Sequence, residues 1–168
     1  HPMGTWENDC RSHVAHMQQG DFFGSEQSHL MSQAGGVRIE LIEPDGTTST
    51  LKERVELQES ELIDAAVMSR GALRDFLERE IGEAQQTNIL FSLHLKATMM
   101  KVSDPIIFGH AVSVFFKDVF DKHATTFDEL GVEPNNGLGD LYAKIASLPD
   151  AHREEIERDI TAVYKIRP

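Results

Sequence analysis

Ile89–His110 reads ILFSLHLKATMMKVSDPIIFGH, and its pattern changes character midway. Ile89, Phe91, Leu93 and Leu95 alternate with Leu90, Ser92, His94 and Lys96. A period of two is the signature of a strand with one buried face. Ala97–Val102 is then a loop. Ser103 offers an N-cap hydroxyl, Asp104 a negative charge for the first turn, and Pro105 a fixed φ suited to helix initiation. Ten of the fifteen residues from Ile106 to Phe120 are apolar and surround the helix axis, so the spacing predicts a buried helix. Lys96 and Lys101 fall between the carboxyl end of the expected strand and the amino end of the expected helix. Free N–H groups and the helix dipole favour an anion there, and two ammonium groups add to that preference. The stretch therefore predicts a carboxylate or phosphate site.

Outward from this stretch the chain reads as mixed α/β. Residues 1–35 carry no clean period and are expected to be irregular, with one short helix near Ser12–Gln18. Residues 36–57 form a hairpin: Val37, Ile39 and Leu41 alternate with charged neighbours, Pro44-Asp45-Gly46 supplies the turn, and Leu51, Val55 and Leu57 resume the alternation. Leu62–Met68 suits a short strand. Ser69 then caps a helix over Arg70–Gln86, in which Leu73, Phe76, Leu77, Ile81 and Ala84 hold helical spacing. Strand, helix and the Ile89 strand in succession predict a βαβ-like unit with parallel strands, giving strand-helix-strand-helix over 62–121. Residues 126–166 are expected to be helical. Thr126 and Glu129 make a capping box, Gly131 a stop, Asn136-Gly137 a turn, and Pro149 a break before an acidic helix that turns Ile156, Ile160 and Val163 inward. The whole, 1–168, suits a single domain or a partial domain.

The bulk properties narrow the function. A chain of 168 residues can bury roughly 70% of the surface its unfolded form exposes and needs no disulfide to hold a core. A single cysteine, Cys10, fits a reducing, cytoplasmic compartment. No run approaches the ~18 apolar residues of a membrane span, and no signal peptide is visible at the start. A first residue of His rather than Met suggests an excised or processed chain. The formal charge of −12 argues against nucleic-acid or anionic-membrane partners but permits a local basic pocket for a small anion.

The remaining chemistry-bearing residues have plainer readings beside the functional ones. Lys96 at a strand end can hold a carboxylate or, desolvated, exchange protons; Lys101 is the weaker candidate. His94 shares a face with Ser92 and Lys96 and can orient a ligand, the plainer reading being a satisfied interior residue. His110 reads as an interior residue, Asp104 as a first-turn acid, and Met99 and Met100 as packing. His13 and His16 have helical spacing for a metal, but no third ligand accompanies them. There is no glycine-rich nucleotide loop, no nucleophile motif and no carboxylate cluster for a divalent ion.

LFSLHLKATMMKVSDPIIFGH, with GDFFGSEQS at 20–28 and NNGLGDLYAKI at 135–145, resembles the monomeric type of NADP-dependent isocitrate dehydrogenase. The likeness runs through the whole chain, and the family enzyme is several times longer. The resemblance implies a fragment from the large domain of an enzyme that oxidises isocitrate at C2 with NADP and decarboxylates it to 2-oxoglutarate, using Mg²⁺ or Mn²⁺, in the citric acid cycle. It implies that Lys96, the lysine of HLKATMMK, is the catalytic and substrate-binding residue here. It carries no such role to Lys101, His94, Tyr142 or Tyr164. The family's NADP and metal ligands fall outside the matched region, so this fragment is expected to bind neither alone and to be inactive. Its implied partners are isocitrate and the remainder of the parent chain. An isolated polycarboxylate-binding or interaction module is the alternative.

Overall fold

A computed structural model describes residues 4–96 and 98–168. The contacts group the chain into two units, one of residues 18–68 and one of residues 1–17 with 69–168.

The first unit is antiparallel β structure. A single helical turn, α1 (Phe22–Ser25), is capped by Asp21, whose carboxylate accepts from the Gly24 N–H at 3.0 Å. Strand β1 (Gln27–Leu30) follows, then the hairpin β2 (Gly35–Ile42) and β3 (Thr48–Leu57), then β4 (Leu62–Ala65). The hairpin turns where the sequence predicts it. Gly46 takes φ 86°, which favours glycine, and Asp45 Oδ1 accepts from the Thr47 N–H at 2.9 Å. Gly35 pairs with Leu57 and Ile42 with Thr48, with register irregularities next to Ile39. Most side chains of the ribbon are exposed, and Leu57 is buried at its base.

Strand β4 forms as expected, but its partner is β1, antiparallel, with Gln27 opposite Ala65 and Leu30 opposite Leu62. This corrects the βαβ-like unit. Among the described residues no strand forms over Ile89–Leu95, and neither two-stranded sheet is parallel. Alternation specifies which face of an extended segment is apolar; a strand needs a hydrogen-bonding neighbour as well. The irregular reading of 1–35 misses β1 because Gln27-Ser28-His29-Leu30 has no apolar alternation to reveal it. The short helix expected near Ser12 is likewise absent.

The second unit is helical. Helix α2 (Arg70–Thr87) is capped by Ser69, whose hydroxyl accepts from the Ala72 N–H at 3.3 Å. It buries Leu73, Leu77, Ile81 and Ala84, a single stripe of the cylinder. Asn88 ends it at φ 51°, a left-handed cap that sends Ile89 N–H back to the Ala84 carbonyl at 3.0 Å. Helices α3 (Ser103–Phe115), α4 (Lys117–Lys122), α5 (Ala124–Leu130), α6 (Gly137–Ile145) and α7 (Asp150–Ile166) complete it, with a 3₁₀ turn at Pro134–Asn136.

The apolar run predicted as one helix from Ile106 to Phe120 is two, because Phe116 leaves helical geometry at φ −105° and ψ 28°. His123 breaks the path again, so α5 starts before Thr126, and the expected capping box lies inside the helix. Ser103 makes no side-chain cap; Val102 flanks the helix start instead. Each break redirects apolar residues into one core rather than round a single rod. Val119, Leu141, Ile145, Ile156 and Ile160 are at most 1% exposed there, and burial of each such side chain contributes about 1.5–3 kcal/mol. Helix α3 meets the 3₁₀ turn so closely that a Cβ on Gly109 would lie 1.9 Å from Asn135 Oδ1 and 2.9 Å from its backbone nitrogen.

Candidate functional site

The arm from Ile89 to Lys96 leaves the left-handed cap of α2 outside helix and strand. Ile89, Phe91 and Leu93 are half-buried, while Leu90, Ser92, His94 and Lys96 are exposed. The period of two survives as a facing pattern as far as His94, and Leu95, expected on the buried face, is exposed. Ser92 Oγ and His94 Nε2, two residues apart on the exposed face, hydrogen-bond at 2.7 Å, as same-face neighbours of an extended chain can. His94 is an exposed partner of Ser92, not an interior residue.

Lys96 ends the arm. Its carbonyl accepts from the Met99 N–H at 3.2 Å, which begins a turn leading to α3. Ala97 lies outside the described residues. Lys96 and Lys101 are both exposed and enter no ion pair among the described residues. In contrast, Lys122 bonds Asp159 at 2.7 Å and Lys144 bonds Asp140 at 2.8 Å. An unpaired ammonium remains available to a carboxylate ligand, whereas a paired one must first give up its partner. Met99 and Met100 are exposed at 74% and 57%, so they are surface residues of this chain rather than the packing that their apolar character suggests.

Just beyond stand Asp104 and His110. Asp104 is buried in the first turn of α3, where the helix dipole favours a carboxylate. His110 is half-buried, and its pKa is lowered, first by burial and then by the positive charges of Arg74 and Arg70. The neutral imidazole that results suits its reading as an interior residue.

Sequence reasoning does not find the polar cluster at α4 and α7. His123 is 6% exposed, and its Nε2 lies 2.7 Å from Asp159 Oδ2. Lys122 Nζ reaches Asp159 at 2.7 Å and Glu155 at 2.9 Å. Partial burial raises the Asp159 pKa, but the bonds from Lys122 and His123 outweigh it and hold the carboxyl below its ordinary range. His123, Glu155 and Asp159 present ligand atoms within 4.8 Å of one another. They do not fit a divalent cation, because the Lys122 ammonium already satisfies both carboxylates and His123 directs its nitrogen at Asp159. His13 and His16, without their helix, lie outside regular secondary structure. Several arginines are engaged in ion pairs: Arg54 with Glu56, Arg79 with Glu80, Arg153 with Asp150 and Arg167 with Glu78.

The described residues make a mixed α/β segment with an exposed lysine, unpaired among them, at the end of an arm outside helix and strand. The family described as monomeric isocitrate dehydrogenase matches residues 1–168, and the chain belongs to that family. It is 56% identical over 168 residues to isocitrate dehydrogenase [NADP] 2 of Colwellia maris. It is 54% identical over the same length to isocitrate dehydrogenase [NADP] of Azotobacter vinelandii, and 51% to isocitrate dehydrogenase [NADP] 2 of Mycobacterium tuberculosis. In each case all of this chain is covered but only 23% of the relative. Among the described residues no helix is long and apolar enough to cross a membrane.

Proposed function

We propose that this chain is a segment of an NADP-dependent isocitrate dehydrogenase of the citric acid cycle, and that Lys96 is its contribution to the isocitrate site. The observation that carries the reading is the family match over the whole chain, with Lys96 inside the contiguous HLKATMMK motif. The exposed, unpaired state of Lys96 supports it.

The reaction removes hydride from C2 of isocitrate and then loses CO₂ from the neighbouring carbon, leaving 2-oxoglutarate. When bound, NADP accepts the hydride and Mg²⁺ or Mn²⁺ polarises the C2 oxygen. Lys96 offers an ammonium that can bind a substrate carboxylate, and a proton that can be exchanged at the reacting carbons. Both roles need a pocket closed by other parts of the enzyme. The reading therefore assigns NADP and the metal to the remainder of the parent chain, assigns the enzyme to the cytoplasm, and gives the 168-residue chain no turnover of its own.

The test is Lys96→Met in the complete polypeptide. The expected result is a fall in kcat of ~10²–10⁴-fold, the usual contribution of a positioned acid or base, with unchanged thermal unfolding. Near-normal kcat removes Lys96 from the mechanism. NADPH production by the pure 168-residue chain with isocitrate and Mn²⁺ refutes the assignment of the remaining parts elsewhere. The family match disfavours an isolated polycarboxylate-binding or interaction module. That alternative would be revived if citrate bound the isolated chain with calorimetric heat that Lys96→Met abolished.

A further inference from the structure

The arm carries an unused edge. Among the described residues, the backbone of Leu90–Leu95 makes no hydrogen bond; its nearest bonds are the Ile89 N–H to Ala84 before it and the Lys96 carbonyl to Met99 after it. Six consecutive residues outside helix and strand thus leave their main-chain donors and acceptors without a partner among the described residues. Their side chains alternate as far as His94, with Phe91 and Leu93 half-buried and Leu90, 84% exposed, turned out, while Leu95 is exposed. Beside the arm lies a groove of about 510 Å³, lined by Val14, Phe76, Leu77, Ala84, Phe91 and Leu93 among others. Glu80 and Glu83 also line it.

We infer that this arm is a docking edge for one β-strand supplied by the part of the same polypeptide outside these 168 residues. Three observations converge on that occupant. The unpaired main chain calls for another main chain, which a helix cannot offer because its own groups are internally paired. The apolar groove alongside gives alternate side chains of an added strand a place to bury. Finally, the relatives carry more than three-quarters of their length beyond the matched region, since this chain spans 23% of each. The carboxylate of Glu83 favours a strand with a neutral or basic residue over that side, Glu80 being already paired with Arg79. An exposed, extended apolar edge is a liability if left open, so covering it also suits solubility.

The inference rests on the reading that the chain is a segment of a longer enzyme, and it deepens the proposal for Lys96. A strand paired along Ile89–Leu95 would fix the arm and hold the lysine at its tip in one place.

Amide-resolved hydrogen exchange tests it, comparing the 168-residue chain with the complete polypeptide. In the chain alone, the amides of 90–95 should exchange as exposed backbone does. In the complete protein alternate amides among them should slow by at least ~100-fold. Pairing on one edge would protect alternate amides, and pairing on both edges would protect all six. Fast exchange of all six in the complete protein overturns the inference. So does protection in the 168-residue chain that grows with concentration, since the occupant is then a second copy. Activity of Lys96→Met in the complete enzyme is a separate readout, so failure of the docking edge and failure of the lysine's role are distinguishable.

Discussion

Asp159→Ala should be among the most costly single changes at the surface of the helical unit, for a reason located in one buried nitrogen. His123 is 6% exposed and its Nε2 hydrogen has Asp159 Oδ2 as its acceptor at 2.7 Å. Deleting the carboxylate leaves a buried donor unsatisfied, which costs about 1–3 kcal/mol. Lys122 also loses a contact, but it is half exposed and keeps Glu155 at 2.9 Å, so that loss adds no more than ~1 kcal/mol. The expected total is about 2 kcal/mol, or a Tm lower by ~4–8 °C for a chain of this size. Glu155→Ala removes only the exposed half of the cluster and should cost clearly less than Asp159→Ala. Urea unfolding followed by far-UV circular dichroism measures both. The pH dependence provides a second check. The Asp159 carboxyl sits below its ordinary range in the fold, so its stabilisation is full above the unfolded carboxylate value of about 4 and is lost as pH falls through the folded value. The gap between the native chain and Asp159→Ala should therefore narrow in acid. Equal costs for Asp159→Ala and Glu155→Ala, or no coupling between Asp159→Ala and His123→Ala in a double-mutant cycle, would refute the argument.

Three further outcomes follow from the packing. Ile160→Ala empties a site that is 0% exposed and should cost about 2–5 kcal/mol; denaturant unfolding with less than ~1 kcal/mol lost would mean that the core collapses around it. Gly109→Ala drives a methyl into Asn135, including its backbone nitrogen, and should cost about 1–3 kcal/mol, so an unchanged Tm would count against the close approach of α3 to the 3₁₀ turn. The pKa of His110 is lowered by burial and by Arg74 and Arg70. Its unfolded form takes up a proton first, and stability should fall as pH drops below about 6.5. His110→Gln should flatten that slope, and unfolding measured in the native chain across this range would show no such slope if the imidazole were not disfavoured as a cation.

The parts of the fold that were legible are those specified by neighbours in sequence. Ser69 and the stripe of Leu73, Leu77, Ile81 and Ala84 sit within one helix, so cap and spacing announce α2. Asp45-Gly46 closes the hairpin within its own turn. What escaped depends on distant partners. The β1–β4 ladder joins residues 27–30 to 62–65, and nothing in Gln27–Leu30 advertises it. The Ile89 arm has a strand's alternation but no ladder among the described residues, because alternation records burial and not pairing. The bends at Phe116 and His123 arise from packing of α4 and α5 into the core, against an unbroken apolar run. Lys96 stood out as a candidate by its place at the end of the alternating stretch and then by its motif. His123 and Asp159, 36 residues apart, had no local signal at all.

The path of the chain through its two units has a consequence of its own. It leaves the helical unit after Met17, builds the β unit, and returns at Ser69. The β1–β4 ladder, whose outermost pair is Gln27 and Ala65, brings the outgoing and returning strands side by side. The β unit is thus spliced in like a loop on a closed base. Changes of length are accordingly best tolerated at the far tip of the ribbon, around Asp45-Gly46, where an insertion alters neither the splice nor the helices that carry the lysine arm.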